Sequence, residues 1–113
     1  MVDFDKVDIT NINRQIHATH SSIGKNKVDV MKKRILDINP NAIVDTYNSK
    51  SIEGGEWNII DKSFSYVVDC IDTMSNKIKI IEKANIENVN IISAAGTGNK
   101  LAPTMFEVSD IYN

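Results

Sequence analysis

The sequence predicts an α/β domain with a mostly parallel sheet and helices on both faces. Two short apolar runs, residues 66–71 and 90–95, have the length and β-branched composition of strands buried in a sheet. Other segments place apolar residues at every third or fourth position, which is the spacing of a helix with one buried side. Strands that alternate with helices favour parallel pairing, because each helix returns the chain to the edge where the next strand begins.

The first half of the chain is predicted to form a strand, a polar loop, a helix and a second strand. Residues 1–4 are apolar and bordered by acids, and residues 6–22 are polar and irregular. The helical stripe that begins after Gly24 consists of Val28, Met31, Ile35 and Ile38. Asn39 should end this helix, because the residue before a proline is pushed out of the helical region. Residues 42–47 carry β-branched side chains and are predicted to form the next strand.

The second half continues the alternation. Its predicted elements are one or two helical turns within 49–62, a strand at 66–71, a helix at 74–88, a strand at 90–95, a loop at 96–103 and a strand at 105–111. The strand at 66–71 is expected to be buried on both faces, since its run is almost continuously apolar. Ile78, Ile81 and Ala84 are expected on the buried side of the helix.

Composition limits the functional classes open to this chain of 113 residues. Its length fits one domain or a piece of one, and 42% hydrophobic residues can build a core. A net charge of −2 gives no electrostatic footprint for nucleic acid, so the main contacts of an RNA substrate are expected elsewhere. One cysteine excludes an internal disulfide framework and fits a reducing compartment. Because no apolar run could span a membrane, we expect a cytoplasmic protein without membrane contact.

Several charged side chains near the start of the chain suggest a binding site for phosphate groups. Arg14 is one of two arginines and lies in an asparagine-rich loop, where no helix face or core explains it. Lys25 and Lys27 lie at the predicted start of a helix, where cations are unfavourable unless an anion binds to the free N–H groups. A nucleotide pocket requires acidic side chains that accept the ribose hydroxyl groups and cationic side chains that bind the phosphates.

The topology is expected to bring distant polar residues to one crevice. Asp3, Asp5, Asp72 and the loop at Gly96 each follow the carboxyl end of a predicted strand. Open α/β sheets bind ligands along that edge. The sequence therefore predicts a single site built from residues about seventy positions apart.

These motifs resemble the HesA/MoeB/ThiF family of ATP-dependent adenylating enzymes, which are related to ubiquitin-activating enzymes. The motifs are Asp-Phe-Asp at 3–5, Asn-Ile-Asn-Arg-Gln at 11–15, Gly-Lys-Asn-Lys at 24–27, Asp-Cys-Ile-Asp at 69–72, and Gly-Thr-Gly at 96–98 before Pro-Thr at 103–104. Residues 13–18 and the Pro-Thr ending are most similar to members that dehydrate threonylcarbamoyladenosine in tRNA. The resemblance implies a Rossmann-like fold, ATP and Mg²⁺ as cofactors, tRNA as substrate and a homodimer.

The resemblance also assigns roles, and each has a simpler alternative. Asp3 would accept the ribose hydroxyls, or be an ordinary acid at a strand end. Arg14 and Lys27 would contact phosphates and stabilise the leaving pyrophosphate. The simpler alternatives are a loop salt bridge for Arg14 and a position on a solvated helix face for Lys27. Asn11 would lie beside them, or make a local turn bond. Asp72 would hold Mg²⁺, or cap the following helix.

Other reactive residue types are interpreted as structural. Asp69, inside a strand, and Cys70, at its end, are expected to serve the fold, the cysteine as a small inert hydrophobe. His17 and His20 have no matching cysteine or acid nearby and are weak metal candidates. Gly96-Thr97-Gly98 precedes a predicted strand, so it is expected to shape a pocket wall, not to bind a dinucleotide.

The chain departs from the family pattern in three ways. The glycine-rich phosphate loop expected before Asp3 is absent, the chain stops early, and Ala102 stands where an acid usually precedes Pro-Thr. We therefore expect a truncated or marginally stable piece that binds ATP poorly by itself. Two alternatives remain: an adenylyltransferase for the Gly-Gly tail of a ubiquitin-like sulfur carrier, with a sulfurtransferase partner, or a non-catalytic remnant that acts as a binding module.

Overall fold

The computed structural model describes residues 1–49, 56–96 and 101–111, and the chain forms two compact units, Met1–Ser51 and Ile52–Asn113. The first unit contains helix α1, Lys27–Ile38, and the 3-10 turns Ile9–Asn11 and His20–Ser22. The second contains strand β1, Tyr66–Asp69, helix α2, Met74–Ile86, strand β2, Asn90–Ser93, and the 3-10 turns Glu56–Ile59 and Pro103–Met105.

Backbone hydrogen bonds in the first unit join the start of the chain to the segment before α1. The N–H of Val7 donates to the carbonyl of Lys25, and the N–H of Gly24 donates to the carbonyl of Val7, both at 2.8 Å. Gly24 has a φ of 82°, a conformation that glycine adopts without a Cβ clash. The buried side chains of Val7, Ala18 and Val28 form the core of this unit.

Helix α1 confirms the helical prediction and begins at Lys27, one residue before Val28, the first apolar residue of the predicted stripe. It ends at Ile38, and the N–H of Asn39 still donates to the carbonyl of Ile35 at 2.8 Å. Val28 is buried, whereas Ile38 is 74% exposed and does not belong to the buried stripe. The proline after Asn39 explains the end of the helix.

The two strands predicted in the first unit do not form. Residues 1–4 and 42–47 meet at a single parallel bridge between Val2 and Tyr47. The N–H of Asp3 donates to the carbonyl of Tyr47, and the N–H of Tyr47 donates to the carbonyl of Met1. A strand needs a ladder of consecutive partners, and among the described residues this pair of segments offers one bridge.

The second unit confirms a parallel strand–helix–strand arrangement. Strand β1 pairs with β2 in parallel, with Tyr66 opposite Asn90 and Asp69 opposite Ser93. Both strands are two residues shorter than predicted. The prediction that β1 is buried on both faces is wrong, because Tyr66 and Val68 are 58% and 67% exposed. The reason is that α2 packs on the opposite face, where the side chains alternate with these two.

Helix α2 presents a different side to the sheet than predicted. Its buried residues are Lys77, Ile80 and Ala84, whereas Ile78 is 49% exposed. The stripe is rotated because a buried lysine, described below, takes the place expected for an isoleucine. The core of this unit is completed by Ile60 and Val89.

Residues 105–111 do not form the predicted final strand. Pro103–Met105 is a 3-10 turn, and no ladder follows it in the described part of the unit. Val108 is fully exposed, so no neighbouring strand covers this segment. The helical turn predicted within 49–62 is present as Glu56–Ile59, while residues 97 and 98 of the Gly-Thr-Gly motif lie outside the described residues.

Neither helix in the described part of the chain is both long enough and apolar enough to cross a bilayer.

Candidate functional site

Asp3, Asp5 and Lys27 form a compact charged group in the first unit. One carboxylate oxygen of Asp3 accepts the N–H of Asp5 at 2.8 Å. Nζ of Lys27 lies 2.9 Å from a carboxylate oxygen of Asp5, and the side chain of Lys27 is only 13% exposed. The first residues of the chain thus hold a lysine at the start of α1. The second carboxylate oxygen of Asp3 has no partner among the described residues.

Arg14 lies in the loop after the first 3-10 turn and is exposed. Its Nη1 donates to the carbonyl of Thr10 at 2.7 Å and to Oδ1 of Asn13 at 3.0 Å. Neither partner is a carboxylate, so Arg14 does not form the loop salt bridge considered for it with any residue that the structure describes. The N–H groups of Nη2 and Nε have no partner in the described residues and are available to a ligand.

Asn11 does make the local turn bond considered for it. Its Oδ1 accepts the N–H of Asp8 at 3.0 Å, and Asn11 is buried. The carboxylate of Asp8 accepts the N–H and the hydroxyl of Thr10, and these two hydrogen bonds hold the pKa of Asp8 below its ordinary value. Asn11 therefore shapes the loop that carries Arg14.

His17 connects this group to the rest of the unit. Its Nε2 is buried without a hydrogen-bond partner in the described part of the chain. Burial of the ring and the positive charge of Lys27 lower the pKa of His17, while the carboxylate of Asp3 opposes the shift.

A groove of about 380 Å³ lies beside His17 and α1. Its lining residues are Ile16, His17, Thr19, Ser21, Ser22, Lys25, Asp29, Val30, Lys33 and Arg34. Asp3, Arg14 and Lys27 are not among them. The groove therefore includes Lys25, one of the two lysines expected at the helix start, but none of the residues that the family resemblance assigns to the nucleotide.

Asp72 lies in the second unit, between β1 and α2, and is exposed. The residue that caps α2 is Thr73, so the alternative interpretation of Asp72 as the helix cap is wrong. The carboxylate of Asp72 has no hydrogen bond or ion pair within the described residues, which leaves both oxygens free. Cys70 is also exposed and has a free thiol, so it does not pack as a core residue.

The described residues contain no cluster of three or more His, Cys, Asp or Glu side chains that could hold a metal ion. Neither His17 nor His20 therefore gains support as a metal ligand. Mg²⁺ needs fewer protein ligands, since it commonly binds one or two carboxylates together with phosphate oxygens and water. A free, exposed carboxylate such as that of Asp72 fits this requirement.

The carboxylate of Asp69 and the ammonium of Lys77 form a buried ion pair at the carboxyl end of β1. Nζ of Lys77 lies 2.7 Å from Oδ2 of Asp69, and the side chains are 7% and 0% exposed. Ser93 donates to the same oxygen at 2.6 Å. Burial raises the pKa of Asp69, but hydrogen bonds from Lys77, Ser93 and the N–H of Ile71 outweigh it and leave the pKa below its ordinary value.

Sequence reasoning interpreted Asp69 as structural but missed Lys77 and the pairing of Asp5 with Lys27. The signal for Lys77 was present, because position 77 is in phase with the buried positions 80 and 84 of α2. An acid inside an apolar strand also requires a buried partner. No comparable signal pointed to Asp5 as the partner of Lys27, since those residues are 22 positions apart.

Comparison with known proteins gives one consistent result. The model of the ThiF family matches residues 1–112. The tRNA threonylcarbamoyladenosine dehydratase of Bacillus subtilis is 41% identical over 98% of this chain and 44% of its own length. The adenylyltransferase and sulfurtransferase UBA4 of Scheffersomyces stipitis is 35% identical over 85% of this chain and 21% of its own length.

Solved structures agree with these relatives. The crystal structures of the E. coli tRNA N6-threonylcarbamoyladenosine dehydratase with AMP and with ATP superpose with TM-scores of 0.87 and 0.85. Both are 32% identical and cover 96% of this chain, which in turn covers 44% and 45% of those chains. The chain therefore spans less than half the length of these dehydratases, and it has their Rossmann-like fold.

Proposed function

Because the chain belongs to the ThiF family, we propose that it takes part in the ATP-dependent dehydration of threonylcarbamoyladenosine in tRNA. The observation that carries this proposal is the superposition on the ATP complex of the E. coli dehydratase, with a TM-score of 0.85 over 96% of the chain. The identity of 41% to the B. subtilis dehydratase supports the same substrate.

The proposed reaction begins with adenylation of a carboxylate. An oxygen of the substrate carboxylate attacks the α-phosphorus of ATP, the bond to the β-phosphate oxygen breaks, and pyrophosphate leaves. A nucleophilic atom of the threonylcarbamoyl group then attacks the adenylated carbonyl carbon and gives up its proton to water, and the bond to AMP breaks. The modification therefore loses one water overall. The protein must hold the ribose, neutralise the triphosphate and stabilise the charge that moves onto the leaving pyrophosphate.

Residues of the first unit are proposed to bind the nucleotide. The free carboxylate oxygen of Asp3 would accept a ribose hydroxyl. The unused N–H groups of Arg14 would grip phosphate oxygens, and Asn11 supports this role by fixing the loop and by offering its amide N–H groups. Nζ of Lys27 has three donors and uses one on Asp5, so it can share the others with phosphate.

Asp72 of the second unit is proposed to hold Mg²⁺. Its exposed carboxylate, free of partners in the described residues, supports this role. The ion would neutralise charge on the triphosphate. A tRNA partner, a homodimer and a cytoplasmic location belong to the same proposal, and the single free cysteine is consistent with the last of these.

The experiment measures AMP formation by the full-length gene product, with tRNA that carries threonylcarbamoyladenosine and with unmodified tRNA. We expect AMP and the cyclised nucleoside with the modified tRNA alone. Asp72→Asn should abolish both products, whereas Glu82→Gln, which changes an exposed acid on α2, should leave them unchanged. AMP formation that ignores the modification, or an active Asp72→Asn protein, would contradict the proposal.

The similarity to UBA4 favours one second candidate, an adenylyltransferase for a ubiquitin-like sulfur carrier with a sulfurtransferase partner. In that case the terminal carboxylate of the carrier's Gly-Gly tail would attack the α-phosphorus of ATP and become an acyl-adenylate as pyrophosphate leaves, and tRNA would have no effect. Full-length protein that consumes no ATP with either substrate would instead support a non-catalytic binding module.

A further inference from the structure

Among the described residues, Lys77 is the one lysine or arginine that is buried, and its position in the helix is unusual. It is 5% exposed and lies in the first turn of α2, where the helix dipole disfavours a positive charge. Its ammonium donates to Oδ2 of Asp69 and to the carbonyl of Ala94, both at 2.7 Å. The oxygens of these two groups therefore hold the charge in place.

Stability alone does not account for this ion pair. Removing two charges from water is costly, and a buried pair contributes little more than well-packed apolar side chains of the same volume. What the pair adds is fixed geometry, because each atom accepts or donates in a defined direction.

Every contact of the pair lies where a strand ends. Oδ1 of Asp69 accepts the N–H of Ile71 at 2.9 Å, and the carbonyl of Asp69 accepts the N–H of Ala94 at 2.9 Å. The ammonium of Lys77 also donates to the carbonyl of Ala94, so hydrogen bonds connect the segments that follow β1 and β2.

The ion pair acts on the first end of the segment between β1 and α2. The ammonium of Lys77 orients the carboxylate of Asp69, and that carboxylate accepts the N–H of Ile71 at 2.9 Å. At the other end the N–H of Lys77 makes the first backbone hydrogen bond of α2, to the carbonyl of Thr73 at 3.0 Å, which does not depend on the lysine side chain. Thr73 makes no side-chain capping bond, so this segment has no other cap at the start of α2. Asp72 is the residue between Ile71 and Thr73.

We propose that Lys77 is a positioning residue, which together with Asp69 fixes the segment that carries Asp72, the proposed magnesium ligand. This inference rests on the proposed role of Asp72. Outer groups that orient a metal ligand commonly change metal affinity or activity about 10- to 100-fold when they are removed.

The test uses four variants of the full-length protein. Lys77→Met leaves the carboxylate of Asp69 buried and unpaired, and it is expected to lower the melting temperature. The double variant with Asp69→Asn and Lys77→Met carries no unpaired charge, so it should recover most of that loss. Lys77→Arg keeps a cation, and Lys83→Met is the control, because it removes a lysine of α2 that pairs with Glu87 near the other end of the helix.

Two readouts separate positioning from stability. The Mg²⁺ concentration that half-saturates AMP formation should rise about 10-fold or more in the folded double variant, and should stay near the wild-type value in Lys77→Arg and Lys83→Met. Amide hydrogen exchange at residues 70–73 and 94–96 should accelerate in the double variant, while exchange at residues 80–84 should not change.

A folded double variant with wild-type Mg²⁺ dependence would overturn the proposal, as would unchanged exchange at residues 70–73. Wild-type protein that forms no AMP would contradict the proposed function instead. Hydrogen exchange would then still decide whether Lys77 fixes the segment.

Discussion

Lys27 and Asp5 are joined by both backbone and side chain. The N–H of Lys27 donates to the carbonyl of Asp5 at 3.0 Å, and Nζ of Lys27 lies 2.9 Å from Oδ2 of Asp5. The lysine at the start of α1 is therefore held by a carboxylate whose side chain is 48% exposed. An incoming phosphate can share or replace this exposed partner.

Lys27→Met should weaken ATP binding much more than it weakens the fold. A half-exposed ion pair contributes at most about 1 kcal/mol, whereas a charge-assisted bond to phosphate contributes about 1.5–3 kcal/mol, or about 10- to 100-fold in affinity. Titration calorimetry with ATP and thermal unfolding of the full-length protein measure the two effects.

Asp5→Asn and Lys25→Met complete this comparison. Asp5→Asn removes the competing carboxylate, so ATP affinity should be retained or increased. Lys25 was expected with Lys27 at the helix start, but it is exposed, lies before α1 and lines the groove beside His17. Lys25→Met should therefore not change ATP affinity. Equal losses in Lys27→Met and Lys25→Met would indicate a general charge effect and would contradict a specific role for Lys27.

Arg14→Lys should reduce adenylation although the charge is kept. The lysine cannot reproduce the planar fork that binds two phosphate oxygens, and loss of one donor to a transition state typically costs about 100-fold in rate. The melting temperature should hardly change, because Arg14 is exposed. The rate of AMP formation at saturating ATP measures the effect, and Arg34→Lys, at the other arginine of the chain, is the control. An active Arg14→Lys protein would show that a point charge suffices.

The sequence predicted the parallel unit well because its signals are local. The helical spacing of α1 and α2 and the β-branched runs of β1 and β2 each reflect one element and its covered face. The prediction of which side of α2 is buried was wrong. That side depends on Lys77, which is buried as the partner of Asp69, a residue of another element. Burial of β1 on both faces was wrong for the same reason, because neighbours decide it.

Strands at 1–4, 42–47 and 105–111 were predicted from composition and did not form. β-propensity describes a side chain that fits a half-buried sheet surface, and a ladder also needs a neighbouring strand. For the candidate site, local rules predict roles for Arg14 and Lys27, and these roles remain predictions. The contact between Lys27 and Asp5 could not be predicted, since it joins residues 22 positions apart through the geometry of the loop.

His17 should make the stability of the protein depend on pH below neutrality. Burial and Lys27 lower its pKa in the folded state, so the unfolded chain takes up a proton first as the pH falls through about 6.5. The free energy of unfolding should therefore decrease from about pH 7 downward, until the pH passes the folded pKa. Urea unfolding of the full-length protein between pH 5 and 8 measures this slope. His17→Gln should reduce it, and His20→Gln, at the exposed histidine, should retain it; equal slopes in wild type and His17→Gln would exclude this origin.

The stability of the C-terminal end of α2 should depend on the residue at position 88. Its φ of 56° is left-handed, and the N–H groups of Asn88 and Val89 donate to the carbonyls of Asn85 and Ala84, which closes the helix with a Schellman motif. Asn88→Ala should cost about 1 kcal/mol, because a Cβ without a local polar partner is strained in this conformation. Asn88→Gly removes the Cβ and should equal or exceed the wild-type stability. Thermal unfolding compares the two variants, with Asn85→Ala, an exposed helical position, as the control. If Asn88→Ala and Asn88→Gly unfolded at the same temperature, the left-handed conformation would not be what limits this helix end.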